Sequence, residues 1–440
     1  MINQTKAIYL VIAILVGFGC SDTKKTATAE DVQQTVAIEQ TAPKEEKVKI
    51  SSEPKKQNEA KNSKDNAPQK EVRKKKRPDG YYDIPYDKKA RNIKVEDLFK
   101  NIRYVPLETN PACLLNDHIK KMVHKNGIIY MENDNGSNDE ILLFNSEGKL
   151  LRSISKEGQG PEEYINAVNI AVNSKGDVSV ADRTGENGRI VTYSSKGDFI
   201  SRINLQGITS EKLVKLTDLK DITYLNDSVL MIRGDRGFQT KNEFQTLNIK
   251  TKKIIKNMHM VKYRPYHMWF PEGLTTYQGK AIISSYQSNQ ILEITEDTVR
   301  VKYTLNIGEK MPPAGFWEEQ SSYEVTKREE KSYEYIGHIP FFAENDRYIF
   351  ICFMGSLGVE ELQSLALVEK ATGKSRTFKG IELAENVTIE PLNFFWQSNG
   401  EIIIPFWPHK IIDSENKEFL SQFPDLKEDD NPILLIGELK

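Results

Sequence analysis

Residues 141–154 read ILLFNSEGKLLRSI, and residues 189–203 read RIVTYSSKGDFISRI. Each stretch combines an apolar strand, a polar tight turn that ends in glycine, and a second strand. The turn glycines Gly148 and Gly197 stand where a hairpin needs a positive φ, and they are 49 residues apart. The two stretches therefore predict a repeating unit built of antiparallel strands.

Weaker copies of this hairpin, in which the turn residues have drifted, follow at residues 244–257, 290–305 and 365–378. Six apolar strands lie at residues 128–130, 177–180, 228–232, 280–283, 347–351 and 401–404, and each of the first five precedes one of the hairpins. This regular spacing favours an all-β six-bladed β-propeller over the alternative, a β-sandwich or two stacked β-domains. We expect residues 102–107 and 433–436 to share one blade and so to close the ring.

The N-terminus predicts export to the cell envelope. Lys6 precedes an apolar run over residues 7–19, which has the length of a signal-peptide core and is shorter than a membrane span of about 20 residues. The run ends in VGFGC, which resembles the lipobox of bacterial lipoproteins, although Gly17 stands where leucine is usual. We expect residues 1–19 to form a lipoprotein signal peptide and Cys20 to carry the lipid. An ordinary cleaved signal peptide or an uncleaved anchor is the alternative.

Residues 20–79 predict a disordered polar linker, because they contain almost no aromatic residues and cannot bury enough surface to offset their ordering entropy. Residues 44–77 hold 13 Lys and Arg against 6 Asp and Glu and are therefore basic. The net charge of the whole chain is −2, so the remaining residues together carry −9. The basic run at residues 74–77 could touch anionic head groups or simply be solvated. This charge balance does not indicate a nucleic-acid partner. We expect residues 80–440 to form the propeller.

The sequence GQGPEEY at residues 158–164 follows the first hairpin. Together with YVPLET at residues 104–109 and the pair Asn431 and Pro432, it resembles a group of bacterial six-bladed β-propeller lipoproteins related to NHL-repeat propellers. The resemblance covers residues 102–440, with Glu162 where glycine is usual and Asn145 where aspartate is usual. Gly158 and Gly160 permit a sharp crossover, and Tyr164 can fill the seam between blades. The resemblance implies the fold and an outer-membrane anchor, on the periplasmic or surface face, but no specific activity.

Few residues indicate catalysis or metal binding. The six histidines are His118, His124, His259, His267, His338 and His409, and none shares a metal-ligand spacing with another. The sequence contains no GxSxG motif and no glycine-rich phosphate loop. Of the three cysteines, Cys113 and Cys352 are expected to be buried free thiols, with a disulfide as the alternative. We expect no cofactor, although a divalent metal held by His267 and His338 at the propeller axis is an alternative.

Aromatic residues concentrate in the second half of the chain, where they pack in the core or stack on a ligand. Trp269 and Trp317 lie in polar stretches and are therefore candidate ligand-binding residues. His267, His338 and Arg183 are the other candidates. We expect a monomeric, lipid-anchored binding module for a glycan, a peptide or an envelope protein. The alternative is a propeller-type hydrolase or lyase with a divalent metal in the central channel.

Overall fold

The strands follow the apolar runs of the sequence because most of them are covered on both faces. In the computed structural model, Ile141 and Leu143 face one hydrophobic cluster, whereas Leu142 and Phe144 face another. Successive side chains of a strand point to opposite faces of its sheet. A strand buried on both faces therefore reads as an unbroken apolar run, as residues 141–144 do.

The structure describes twelve segments of the chain, which all belong to one unit formed by residues 74–440. The described residues are 78–116, 119–134, 139–154, 158–183, 188–205, 219–234, 244–258, 273–284, 289–313, 334–355, 362–391 and 395–440. The predicted signal peptide and linker up to residue 77 lie outside them.

The described chain starts with short elements that later join other sheets. These are β1 (Tyr81–Asp83), β2 (Ile93–Lys94), the one-turn helix α1 (Val95–Leu98) and β3 (Phe99–Pro106).

Three antiparallel sheets of four consecutive strands follow. Sheet 1 contains β4 (Ile119–Lys125), β5 (Ile128–Asp134), β6 (Asp139–Asn145) and β7 (Leu150–Ile154). Sheet 2 contains β8 (Ala167–Val172), β9 (Val178–Asp182), β10 (Arg189–Tyr193) and β11 (Phe199–Asn204). Sheet 3 contains β12 (Leu219–Asn226), β13 (Val229–Gly234), β14 (Phe244–Asn248) and β15 (Lys253–Met258).

The second half of the chain repeats this pattern. Sheet 4 contains β16 (Leu274–Tyr277), β17 (Lys280–Ser284), β18 (Gln290–Ile294) and β19 (Val299–Asn306), with β1 parallel to β19 and a 3-10 turn at Gly308–Lys310. Sheet 5 contains β20 (Ile336–Glu344), β21 (Tyr348–Gly355), β22 (Ser364–Glu369) and β23 (Ser375–Phe378). A small sheet then joins β24 (Ile381–Ala384) and β25 (Val387–Ile389) to β2.

Sheet 6 combines the two ends of the described chain. It contains β26 (Trp396–Ser398), β27 (Glu401–Phe406), β28 (Ile433–Leu439) and β3, and the short helices α2 (Pro408–Ile412) and α3 (Lys417–Leu420) lie between β27 and β28. Ile433 is paired with Pro106 and Leu435 with Tyr104. The expected pairing of the first and last apolar segments is therefore confirmed.

The first strand of each sheet, here called the inner strand, contacts the inner strands of both neighbouring sheets. The contacts run from β4 to β8, β12, β16, β20 and β26, and from β26 back to β4. Six hydrophobic clusters fill the six seams between neighbouring sheets. Consecutive four-stranded sheets arranged in this way give an all-β, propeller-like fold, and two sheets stacked face to face as in a sandwich would not give such a circle of contacts.

The motifs singled out in the sequence have structural roles at the seams. Gly148 and Gly197 both have φ of +82°, as predicted. Tyr164 is buried between sheets 1 and 2, where its hydroxyl donates to the carbonyl oxygens of Ile154 and Asp139 at 2.7 and 2.8 Å. The expectation that Tyr164 fills a seam is confirmed.

The seam between sheets 6 and 1 is held by polar side chains as well as by its apolar cluster. The Asn431 amide donates to the carbonyl oxygens of Glu108 and Cys113 at 2.7 and 2.8 Å, and the Glu108 carboxylate accepts from the backbone N–H of Leu150 at 2.9 Å. Cys113 and Cys352 are free and buried, as expected.

Candidate functional site

Most of the residues predicted to form the site lie outside the described structure, so their grouping stays a prediction. The lipid-attachment residue and three ligand-binding candidates lie outside the described residues, namely Cys20, His267, Trp269 and Trp317. The backbone of His338 lies in β20, where it is paired with Met354. Arg183 follows β9 and is exposed.

The described aromatic residues of the second half mostly belong to the core. Phe395 and Phe406 are buried between sheets 5 and 6, and Trp396 and Trp407 pack partly buried against the cluster between sheets 6 and 1. Asp182, which the sequence places beside Arg183, is fully buried. It accepts hydrogen bonds from two backbone N–H groups and pairs with Arg189, so it fixes the turn after Tyr164.

A register irregularity at the start of several inner strands places polar residues at one equivalent position. In β4, β8 and β12 the pairing shifts immediately before Lys121, Asn169 and Asp221, each of which is followed by regular pairing. In β20 the same shift precedes His338. A β-bulge of this kind re-aims a side chain and is over-represented beside functional sites. The four bulges therefore mark one end of the inner strands as a candidate site.

The side chains at this end form an ionic group from three sheets. Lys121 Nζ lies 3.6 Å from Asp221 Oδ1, and Arg233 lies 3.6 Å from Asp221 Oδ2. The Asn169 amide donates to Asp221 Oδ1 at 2.9 Å. The Lys121 and Asp221 side chains are each 12% exposed and the Arg233 side chain is 2% exposed. Charges are thus concentrated where little water reaches them.

Behind Lys121 lies a buried carboxyl group. Glu132 is paired with Lys121 across β4 and β5, is fully buried, and has no hydrogen-bond partner for either carboxylate oxygen among the described residues. Burial raises the pKa of Glu132 to about 8, although the positive charge of Lys120 opposes the shift. Near pH 7 this carboxyl group is therefore largely protonated.

The ammonium group of Lys120 is held beside Glu132 by other carboxylates. Its Nζ donates to Asp139 Oδ1 at 2.7 Å and lies 3.2 Å from Asp134 Oδ2. Here the term inner cluster is used for Lys120, Lys121, Glu132, Asn169, Asp221 and Arg233.

A second ionic group lies at the other end of the inner strands, and its partners satisfy one another. Glu344, the last residue of β20, is fully buried and accepts from Lys302, from Lys370 at 2.5 Å and from the Tyr303 hydroxyl at 2.8 Å. Burial and the nearby Glu344 carboxylate raise the pKa of Tyr303, so its hydroxyl remains a donor. These bonds join sheet 4 to sheet 5, which is a structural role.

No sequence motif predicts the inner cluster, because its residues are spread from residue 120 to residue 233 and each meets the others only in the fold. One weak signal is present. Glu132 and Arg233 each follow directly after a run of four apolar residues within a mostly buried strand, and a charge in such a place needs a partner or a function.

Two properties of the described residues bear on the alternatives. Within the described segments, no group of three or more His, Cys, Asp or Glu residues is placed to hold a metal ion. In the same part of the chain, the helices are all too short or too polar to cross a membrane.

Several proteins of known structure are similar to this chain. A "putative exported protein" from Bacteroides fragilis is 14% identical, with a TM-score of 0.62 over 82% of this chain and 100% of that one. A member of the DUF4221 family from Bacteroides vulgatus is 12% identical, with a TM-score of 0.49 over 78% and 98%. The β-propeller domain of the Trilobed protease from Pyrococcus furiosus is 9% identical, with a TM-score of 0.33 over 66% and 77%. The first likeness concerns the fold alone, and the other two are too distant to carry an argument.

The family match is more extensive than these likenesses. No curated protein matches the sequence. Residues 82–438 match a domain of unknown function, DUF4934, from β1 to the end of sheet 6. The chain therefore belongs to the DUF4934 family.

Proposed function

We propose that this protein is an extracytoplasmic binding module, a six-bladed β-propeller anchored to a bacterial membrane by a lipid on Cys20. Its ligand is a peptide or protein segment that carries charges of both signs. The ligand contacts the inner cluster and the adjoining end of the inner strands.

The observation that carries the binding role is the inner cluster itself. Buried ion pairs stabilise proteins little, because the cost of removing both charges from water offsets their attraction. Apolar residues at Lys121, Asp221 and Arg233 would serve the seams equally well. The distance of 3.6 Å from Lys121 to Asp221 also exceeds the ~3.2 Å limit of an N–H···O hydrogen bond, so both groups keep bonding capacity for a ligand.

The charges of the inner cluster favour a peptide over an uncharged ligand. Asp221 offers a carboxylate, whereas Lys121 offers a cationic donor 3.6 Å away within the same group. A ligand with an ammonium group and a carboxylate can pair with both kinds of side chain. Peptides present such groups at their ends and on their side chains.

The blade count and the location have separate support. Six hydrophobic seams between six four-stranded sheets, with inner strands in a closed circle of contacts, match the architecture of a six-bladed propeller. The apolar run before Cys20 and the exported name of the similar Bacteroides fragilis protein support export. The lipid anchor, on the outer membrane, is proposed from the VGFGC sequence.

The binding proposal is tested with a library of short charged peptides and a set of glycans, screened for their effect on the melting temperature of the purified chain. A ligand that binds only the folded state raises this temperature. We expect peptides to do so, and we expect Lys121→Met to weaken their binding by about tenfold, since one charge-assisted hydrogen bond is lost. Lys196→Met is the control, because Lys196 is exposed in the turn between β10 and β11.

The outcomes separate the alternatives. Stabilisation by glycans alone, or equal peptide affinity in Lys121→Met and wild type, would refute the peptide assignment. Cys20→Ser tests the anchor in cells, where we expect wild type to incorporate a labelled fatty acid and the variant to lose that label. A variant labelled as strongly as wild type would rule out lipid attachment at Cys20.

A further inference from the structure

A second candidate site lies away from the inner cluster. A cavity of about 490 Å³ is bounded by sheet 5, by the small sheet and by the segment between β1 and β2. Its lining includes Tyr86, Gln363, Ser364, Phe378 and Pro391, and no residue of the inner cluster. Small-molecule sites occupy roughly 300 to 1,000 Å³, so the cavity can hold a ligand of this kind.

Two buried polar atoms in this lining lack a partner. Ser364 is 4% exposed, and its Oγ has no hydrogen-bond partner among the described residues. The same is true of the buried Nε2 of Gln363, the preceding residue. Ser398 shows the usual arrangement, since it is 5% exposed and its hydroxyl donates to the His124 carbonyl oxygen at 2.7 Å. A buried hydroxyl or amide without a partner is costly, so both groups call for an acceptor that the described residues do not supply.

The rest of the lining indicates the chemical class of that ligand. Phe378 and Pro391 are buried and supply carbon surface. The charged lining residues are exposed and balance one another, with two acidic and two basic side chains: Asp87, Glu390, Lys88 and Lys379. A charged ligand therefore gains no net attraction here. A sugar ring combines hydroxyl groups that accept and donate with C–H faces that pack on apolar rings.

We propose that this cavity binds one neutral sugar residue, whose hydroxyl oxygens accept from Gln363 Nε2 and bond to Ser364 Oγ, with Phe378 and Pro391 against its carbon face. The site is independent of the inner cluster and adds a carbohydrate ligand to the peptide ligand proposed above.

The test is a calorimetric titration of the purified chain with glucose, galactose, mannose, N-acetylglucosamine and their β-1,4-linked dimers. We expect at least one of these sugars to bind wild type, and we expect Ser364→Ala and Gln363→Met each to weaken that sugar by about tenfold. Ser364→Ala removes a group without a partner, so it should not lower the stability of the free protein. Ser398→Ala is the matched control, which should lower stability and leave sugar affinity unchanged.

Each other outcome overturns the assignment. The site would be refuted if no sugar bound at millimolar concentration. It would also be refuted if sugar binding survived both cavity substitutions. A stability loss in Ser364→Ala as large as that in Ser398→Ala would show that the Ser364 hydroxyl is already satisfied. Sugar binding lost in Lys121→Met but kept in Ser364→Ala would move the sugar to the inner cluster. Failure of the peptide screen leaves these results unaffected, so the two sites are judged separately.

Discussion

The buried carboxylate of Glu344 provides a quantitative test of how the sheets are joined. Glu344 is fully buried and accepts from two ammonium groups and a phenol, and the side chains of Lys302 and Lys370 are only 15% and 17% exposed. The substitution Glu344→Gln keeps the shape of the side chain and removes its charge. Both lysines then lose their shared counter-charge in a place where water cannot replace it.

The expected loss of stability follows from this burial. Removing one partner of a buried ion pair costs about 3 to 5 kcal/mol, whereas exposed pairs contribute about 0 to 1 kcal/mol. Lys302 also lies 3.5 Å from Glu293, which retains part of its compensation. We therefore expect Glu344→Gln to lower the free energy of unfolding by about 3 kcal/mol, at the lower end of that range.

Urea denaturation followed by tryptophan fluorescence and circular dichroism measures this loss, provided that both probes give the same transition. The control is Glu438→Gln, because Glu438 pairs with Lys100 at 3.5 Å and both side chains are more than a third exposed. The control should match wild type within error. A loss below about 1 kcal/mol in Glu344→Gln would refute the claim that this carboxylate compensates buried charges.

Three further substitutions test the seams and the inner cluster by the same denaturation measurement. Gly148→Ala should lower the free energy of unfolding more than Gly400→Ala does. The two glycines have nearly the same φ, +82° and +84°, but only at Gly148 would an added Cβ meet the backbone, 2.1 Å from a carbonyl oxygen. Equal losses of stability would show that this contact is relieved. Tyr164→Phe should cost about 1 kcal/mol, since its hydroxyl bonds two carbonyl groups across a seam, and an unchanged midpoint would contradict that role. Wild type should lose stability as the pH rises from about 4.5 to about 8, because the pKa of Glu132 is raised in the folded state. Glu132→Gln lacks this titration, so its stability relative to wild type should increase across the same window. A stability difference between the two proteins that stays constant with pH would contradict the raised pKa. The charged groups that face Glu132 are Lys120, Lys121, Asp139 and Asp221.

The repeat could be predicted from the sequence because its causes are local. The run at residues 141–144 is apolar throughout because alternate side chains enter two different seams. The glycines at the hairpin turns are required by a positive φ. Pairing of β3 with β28 was also predictable, since an apolar segment left over at each end of a repeat has no other partner.

The inner cluster could not be predicted, since its geometry depends on register. Lys121, Asn169 and Asp221 reach one place only because the pairing shifts by one residue just before each of them. A shift of one residue in a strand sends its side chains to the opposite face. No local sequence pattern identified these bulges, so the charged residues in β4 and β12 could not be distinguished from ordinary exposed lysines and aspartates.

The bulges are a feature that four inner strands share. Each bulge leaves one residue unpaired and interrupts the ladder. The residue that precedes each bulge, Ile119, Ala167 or Leu219, belongs to the apolar cluster of a seam in sheets 1, 2 and 3. The position after the bulge carries Lys121, Asn169, Asp221 and, in sheet 5, His338. One backbone irregularity therefore recurs at the start of four inner strands, and the sequence places a different polar residue after it in each.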